Sequence, residues 1–511
     1  MRIVCAPLAV ALVLAATPAS ADTAANTAED AEAGPARELA LSAAIEVAVR
    51  QNPSLAKAAV DSAIAEARYL QSLGIDDWVF TGTGSVSFVE KSEQTDDFFG
   101  AEKSYGASLS LIKSLRTGGV FGVTATGGTS DAIVCTGDGL DLACNPGTLR
   151  SASVSFSVEH SLLRGFGSDV ARASQKQAEI ARDAVALSEQ IDALETVRQI
   201  VTAYWEVAYA ARDIEIRKGA LELSQEQLRI TRAGIDAGAI APTESLAIEQ
   251  GIAVREEAIV LAEVNLSERS LELRRLVGLE VGPGEIDIAA TEPLVINDRD
   301  RDLDLDAAMA RAIERNPSLA LIANSGESAK VDVIVTQNGL KPILDLSVRG
   351  GPTATAPGVA DTLELLGKFD AYSVTASVTY TQELGSRAAE GADAAARHQI
   401  RRIKIDLAEA EREIAVSVVR AVNLVRTARK RIEVTQKSIA LAEKNLDTEK
   451  KRFEAGDATN FDILQRQDEI QQAQLSNTRA VADYLGALAL VDSLTGDLLD
   501  RHGIKLEGEN R

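Results

Sequence analysis

One unit is written twice in this chain, and that duplication limits the possible folds more than any other feature. Leu39–Leu55 reads LALSAAIEVAVRQNPSL and Leu303–Leu319 reads LDLDAAMARAIERNPSL, with nine of seventeen positions identical at an offset of 264. Further along the offset becomes 218. Gly167-Ser168 then matches Gly385-Ser386, Ala237-Gly238 matches Ala455-Gly456, and Gly278 matches Gly496. Glu244 matches Asp462, and Leu246 matches Leu464. Ungapped spacing of this kind marks one supersecondary unit used twice. The first copy carries 46 more residues than the second, all between Asn-Pro-Ser-Leu and Gly-Ser.

Each copy ends in a pattern for two long helices. Leu194, Val197, Val201, Tyr204, Ala208 and Ala211 alternate steps of three and four, and Ala415, Val418, Val422 and Val425 repeat them. That is coiled-coil periodicity. A helix from about 168 to 236 would be roughly 100 Å long. Gly238 and Gly456 interrupt the pattern, and a second helix is expected near Thr243 and Phe461, with Pro242 in its first turn and Asn460 as an N-cap. Each copy then makes a helical hairpin whose tip is Asp236–Ala241 or Glu454–Thr459.

The segments before the hairpins alternate with period two. Trp78, Phe80, Gly82, Gly84, Val86 and Phe88 interleave with Val79, Thr81, Thr83, Ser85 and Ser87. Val154, Phe156 and Val158 interleave with serines, as do Tyr372, Val374, Val378 and Tyr380 with serines and threonines. One apolar face and one hydroxyl face over about ten residues is the pattern of a membrane barrel strand with a wet lumen. Four such segments occur in the first copy (78–89, 104–113, 119–127, 151–160) and two in the second (342–350, 371–382). A turn at Leu115–Gly119 suits the periplasmic side, whereas 90–103 and 128–150 read as long outer loops, and a long loop, Gly351–Asp370, joins the two strands of the second copy.

Composition closes off other classes. The formal net charge is −23, opposite to what phosphate neutralisation needs, so no nucleic-acid partner is expected. His160, His398 and His502 are scattered, leaving no histidine-based catalytic or metal centre; neither an enzyme activity nor a cofactor is expected. The run DRDRDLD from Asp298 lacks the glycine and the final glutamate of a calcium loop. Arg2, the apolar run Leu8–Ala16 and Ala19-Ser20-Ala21 read as a secretory signal peptide. Outside the cytoplasm Cys135 and Cys144 are expected to form a disulfide closing a small loop.

The expected organisation is a signal peptide over 1–21, a flexible leader over 22–36, a first repeat over 37–297 and a second over 298–498, with a tail over 499–511. Strands lie within about 78–160 and 342–382, helical hairpins at 168–278 and 386–496. The fold class is an α+β membrane protein. A secreted coiled-coil structural or adhesion protein is the alternative, but it leaves the serine-lined strands unexplained.

Both Asn-Pro-Ser-Leu helices, Ala203-Tyr204-Trp205-Glu206-Val207, and Arg452-Phe453-Glu454-Ala455-Gly456 followed by Asp462-Ile463-Leu464 resemble the TolC family of outer-membrane efflux and secretion channels. The resemblance runs from about residue 37 to 498. It implies a homotrimer with one shared β-barrel in outer-membrane lipid and one periplasmic α-barrel, conducting solutes passively. It also implies a periplasmic adaptor at the hairpin tips, around Gly238 and Gly456, and an inner-membrane transporter behind it. By the same resemblance Asp462, with Glu244 nearby, forms a carboxylate ring at the periplasmic gate, where clustering raises apparent pKa values. Three positions depart from the family pattern: Ala458 stands for a latch arginine, Phe453 for a tyrosine and Gln465 for a second pore acid. Four and two strands make six per protomer and eighteen in a trimer, where the family usually has twelve; the competing reading puts the 105–127 hairpin outside the membrane, as a periplasmic collar or an extracellular flap.

Overall fold

The computed structural model describes residues 37–90, 101–136, 143–238, 240–280, 287–296 and 303–504. The expected signal peptide and leader lie outside the described residues, as does the end of the tail. The first repeat runs β1 (Arg37–Leu39), α1 (Leu41–Gln51), α2 (Pro53–Leu73), β2 (Trp78–Glu90), β3 (Ala101–Ser114), β4 (Gly119–Thr136) and β5 (Ala143–Ser161). It continues through α3 (Ser168–Ala171), α4 (Ala173–Asp236), α5 (Glu244–Val277) and β6 (Ile288–Ala290). The second repeat runs α6 (Leu305–Arg315), α7 (Pro317–Gly339), β7 (Ile343–Ala356), α8 (Val359–Lys368), β8 (Tyr372–Thr381), α9 (Arg387–Glu454), α10 (Asn460–Leu494) and α11 (Leu498–Arg501).

The repeated residues do the same physical work in both copies. Asn52 caps α2, its Oδ1 accepting from the Ser54 and Leu55 amides at 2.7 and 3.1 Å. Pro53 follows in the first turn, where a missing N–H leaves no bond unmade. The same Asn52 donates through Nδ2 to the Leu276 carbonyl at 2.5 Å, tying the start of the repeat to the end of its hairpin. In the second copy Asn316 accepts from Ser318 at 2.9 Å and donates to the Leu494 carbonyl at 3.1 Å. Gly278, at φ +83°, ends α5 against that junction; a Cβ there would lie 2.5 Å from the Gln51 carbonyl oxygen.

α4 has 64 residues and α9 has 68, each roughly 100 Å of helix. α10 packs against both α9 and α4, so the two hairpins form one layered bundle. The first core joins Ile200, Tyr204 and Val207 of α4 to Ile45 of α1 and Leu273 and Val277 of α5. The second joins Val418, Val422 and Ile432 of α9 to Ala308 and Ala312 of α6 and Tyr484 of α10. Tyr204 is fully buried, its hydroxyl accepting from the Glu292 amide at 3.2 Å, and burial raises its pKa. The Ala-Tyr-Trp-Glu-Val motif is therefore a core element. Glu206, its acid, pairs with Arg479 of α10 at 2.9 Å.

The strands form one antiparallel sheet in the order β2-β3-β4-β5-β7-β8, and a short parallel pair joins β1 to β6. Several expected boundaries are corrected. Residues 128–136 and 143–150, expected as loop, extend β4 and β5 because the hairpin stays in register outward, through Ser130↔Leu149 to Thr136↔Ala143. Gly351–Asp370 holds the end of β7 and α8 instead of loop alone. Pro342 and Leu344 carbonyls accept from Arg164 and Leu162, so the sheet edge continues toward the helices. Pro242 lies two residues before α5, and Asn460 is the first residue of α10, capped by Thr459.

Candidate functional site

In an antiparallel sheet, register partners point to the same face. One row can be followed across all six strands: Phe80, Leu111, Val123, Phe156, Gly350 and Val374. A parallel row reads Thr83, Ser108, Thr126, Ser153 and Thr353. The period-two alternation of each strand is thus in phase with its neighbours, giving one apolar and one hydroxyl face. The apolar face meets no other element over most of its area; Phe80, Val86 and Tyr372 are 68%, 75% and 74% exposed. On the other face Thr126 and Ser153 share a hydroxyl hydrogen bond of 2.6 Å, and Glu159, Asp345 and Arg349 supply the charges.

The apolar face has a height. Lys113 lies 5.1 Å over the Trp78 ring near the helices, and Lys103 lies 5.7 Å over Phe88 at the far end. The ten residue steps of β3 from one lysine to the other span about 33 Å along the strand. At the tilt near 40° usual for outer-membrane barrel strands that would be about 25 Å of height, which matches the apolar band of such barrels. Trp78 and Tyr380 mark its helix end, and Phe88, Tyr105 and Tyr372 its far end. Among the described residues no helix is long and apolar enough to cross a membrane.

Among the described residues both edges of the sheet lack a partner. β2 leaves the helical end and β8 returns to it, so β8 of one copy and β2 of another can pair antiparallel. The β3–β4 turn sits at the helical end: Gly118 takes φ +93°, and the Thr117 carbonyl accepts from Gly167 at 3.1 Å. Thr117 Oγ1 also meets His160 Nε2 at 2.8 Å. Cys135 and Cys144 are register partners on β4 and β5; their side chains lie outside the described residues.

At the opposite pole the two hairpin tips turn on Gly238 and Gly456, at φ +77° and +82°. They meet through Asn460, which is buried. Its Oδ1 accepts from Gln227 Nε2 and Thr231 Oγ1 of α4, both at 2.9 Å, and its Nδ2 donates to Glu244 at 3.3 Å. Two turns along α10, Ser224 donates to buried Gln467 at 3.2 Å, and Arg255 of α5 pairs with Asp468. This polar seam locks α10 to the first hairpin. Helix periodicity does not reveal it, because Asn460 and Gln467 look like ordinary polar positions.

Asp462 occupies a capping box. The Thr459 amide donates to its Oδ2 at 2.8 Å and the Thr459 hydroxyl at 2.7 Å, while the Asp462 amide donates to Thr459 Oγ1 at 3.3 Å. The Thr459 side-chain and backbone bonds hold the carboxyl below its ordinary pKa. This is opposite in sign to the raised value expected of a carboxylate cluster, because within one chain the ionised form is the hydrogen-bonded one. The pattern Thr459-x-x-Asp462 carried that signal in the sequence. Phe453 packs beside Ala442, Leu446, Ile463 and Ile470, an apolar contact under the tip. Among the described residues no group of three or more His, Cys, Asp or Glu side chains is placed to hold a metal ion.

The sequence pattern of the outer membrane efflux protein family matches residues 124–279 and 308–497. The fold is similar to the outer membrane protein VceC of Vibrio cholerae, with a TM-score of 0.62 and 16% identity over 90% of this chain and 96% of that one. The open state of the MtrE outer membrane channel of Neisseria gonorrhoeae matches with a TM-score of 0.64 and 14% identity, over 90% and 89% of the two chains. The Campylobacter jejuni CmeC outer membrane channel matches at 0.60 and 13%, over 92% and 90%. No curated protein matches at the level of sequence.

Proposed function

The chain belongs to the outer membrane efflux protein family, and from that premise we propose that it is the outer-membrane exit duct of a tripartite efflux system. Three copies close their sheets into one barrel and their hairpins into one periplasmic tunnel. An inner-membrane transporter hands solutes through a periplasmic adaptor to the tips around Gly238 and Gly456, and the duct conducts them passively. Asp462 and Glu244 line the periplasmic mouth in this reading. A ring of carboxylates there favours cations.

The six-stranded sheet, apolar on one face, hydroxyl-lined on the other and unpaired at both edges, carries the reading. Open edges cannot persist in lipid, where every backbone N–H and C=O needs a partner, so closure has to come from other copies. The helices support the same assembly. Leu246, Val254 and Leu261 form an exposed seam on α5, and Ile405, Val416, Val434 and Leu441 another on α9. Coiled-coil spacing with no partner among the described residues calls for a neighbouring chain. With six strands per copy the barrel has eighteen, and its diameter is about half as large again as a twelve-stranded one. A secreted coiled-coil adhesion protein has no use for a two-faced sheet.

The test is cross-linking between the edges. Cysteines placed on β2 and β8, in a chain whose other cysteines are serine, should join neighbouring copies and give a covalent trimer ladder in detergent. Cross-links formed only within single chains would overturn the reading.

A further inference from the structure

Between β7 and β8, at the end of the sheet away from the long helices, the chain forms the ten-residue helix α8. It packs against β7 and β5 on the apolar face of the sheet. The β7 residues of that face, Pro352, Ala354 and Ala356, are buried there, while Thr355 between them is exposed. Thr362 is buried at the contact, its hydroxyl donating to the Gly358 carbonyl at 2.7 Å, and Arg150 donates to the Pro357 carbonyl.

The apolar arc of α8 is wider than the sheet can cover. Thr362, Leu365 and Leu366 are turned inward, whereas Val359 and Leu363, one turn apart, remain 59% and 58% exposed. Asp361, Glu364 and Lys368 gather on the opposite side of the helix. Phe369 ends the helix at φ +56° and is exposed. A left-handed cap is glycine's usual place, and a bulky residue there is strained. Phe369 lies three residues before Tyr372, the outer aromatic of β8.

We propose that α8 is an interfacial helix whose Val359, Leu363 and Phe369 flank enters the lipid surrounding the outer rim of the barrel. This rests on the barrel reading above. Continuity selects the occupant: α8 lies on the face that carries Phe80, Leu111, Phe156 and Val374, hence outside the barrel. A lumen plug would have to lie on the hydroxyl face. Two acids against one lysine give α8 no electrostatic attraction to anionic headgroups, so its insertion depends on apolar area.

Spin labels test this in the full chain reconstituted as the trimer in phospholipid bilayers, with molecular oxygen and an aqueous nickel chelate as collision probes. Labels go singly at Leu363, Glu364 and Val374 in a chain whose other cysteines are serine, with Val359 as a second flank site should the Leu363 variant assemble poorly. The oxygen-to-nickel collision ratio at Leu363 should be severalfold that at Glu364 and close to that at Val374. A nickel-accessible Leu363 beside a lipid-exposed Val374 would overturn the helix proposal alone, as would a label reached by neither probe, which means a protein cover. Nickel access at Val374 would overturn the membrane barrel itself.

Discussion

Between α2 and α4 the first repeat crosses the sheet four times; between α7 and α9 the second crosses it twice. The elements that flank those crossings are matched. α2 leads into β2 as α7 leads into β7, and β5 and β8 each return to a glycine of positive φ, Gly167 or Gly385, before a long helix. The 46 additional residues of the first repeat are therefore accounted for by the β3–β4 hairpin and its loops. A hairpin is the smallest insertion that returns the chain to the same side of a membrane, and it keeps the sheet antiparallel. The helical half of the repeat tolerates no such change, because Asn52 and Gly278, or Asn316 and Gly496, must still meet. In the proposed assembly, barrel width can thus vary without disturbing the tunnel.

Making the repeats alike gives the largest effect. Deleting residues 91–142 joins β2 to β5 and leaves four strands per copy. Barrel cross-section should fall to roughly 0.4–0.5 of its value, and images of the trimer along its axis should show the narrower ring with the tunnel unchanged. Loss of trimers in that variant would mean that the hairpin is needed for closure.

Next come the capping asparagines, where the repeats should respond alike. Asn52→Ala removes an N-cap and the bond to Leu276, and Asn316→Ala the equivalent pair with Leu494. Each should cost about 2–3 kcal/mol from a cap and a buried hydrogen bond, read as a lowered midpoint of thermal or denaturant unfolding. A loss confined to one variant would break the equivalence of the two junctions.

The tips should differ. Glu244 meets Asn460, whereas Asp462 closes a capping box. Asp462→Asn should lower cation selectivity in bilayer recordings more than Glu244→Gln does. Folding lowers the Asp462 pKa, so its stabilisation of the α10 start is present above the unfolded aspartate's pKa. It is lost as pH falls through the lowered value, in the acid range below ordinary aspartate titration. Backbone amide exchange at 460–464 should accelerate only there; a change near neutral pH would point to a titrating cluster instead.

The smallest effect belongs to the outer end of the added hairpin. Cys135 and Cys144 are directly opposed across β4 and β5, and backbone partners of an antiparallel pair lie within disulfide reach. We propose that they form a bridge. The unreduced protein should resist a thiol reagent, and reduction should leave conductance unchanged. Full reactivity without reductant would reject the bridge.

The sequence revealed what periodicity encodes. Hydroxyl and apolar residues alternate because the strands stand in phase and give the sheet two unlike faces, and Val197 to Ala211 mark a seam because α4 packs along its length. Asn460, Gln467 and Arg255 were not legible, since their partners lie more than 200 residues away in sequence. α8 was hidden for another reason: ten residues with two acids and a glycine looked like loop, and only packing on Ala354 and Ala356 makes them a helix. Asn460 was misplaced as a cap because both it and Thr459 can accept the bond. Thr459 takes that role, and the buried seam claims the asparagine.

The number of strands around the barrel tests the account most directly. Electron cryo-microscopy of the trimer in lipid nanodiscs should show eighteen strands, with β8 of each copy antiparallel to β2 of the next and β3–β4 within the wall. A twelve-stranded ring with β3–β4 folded outside it would contradict the account.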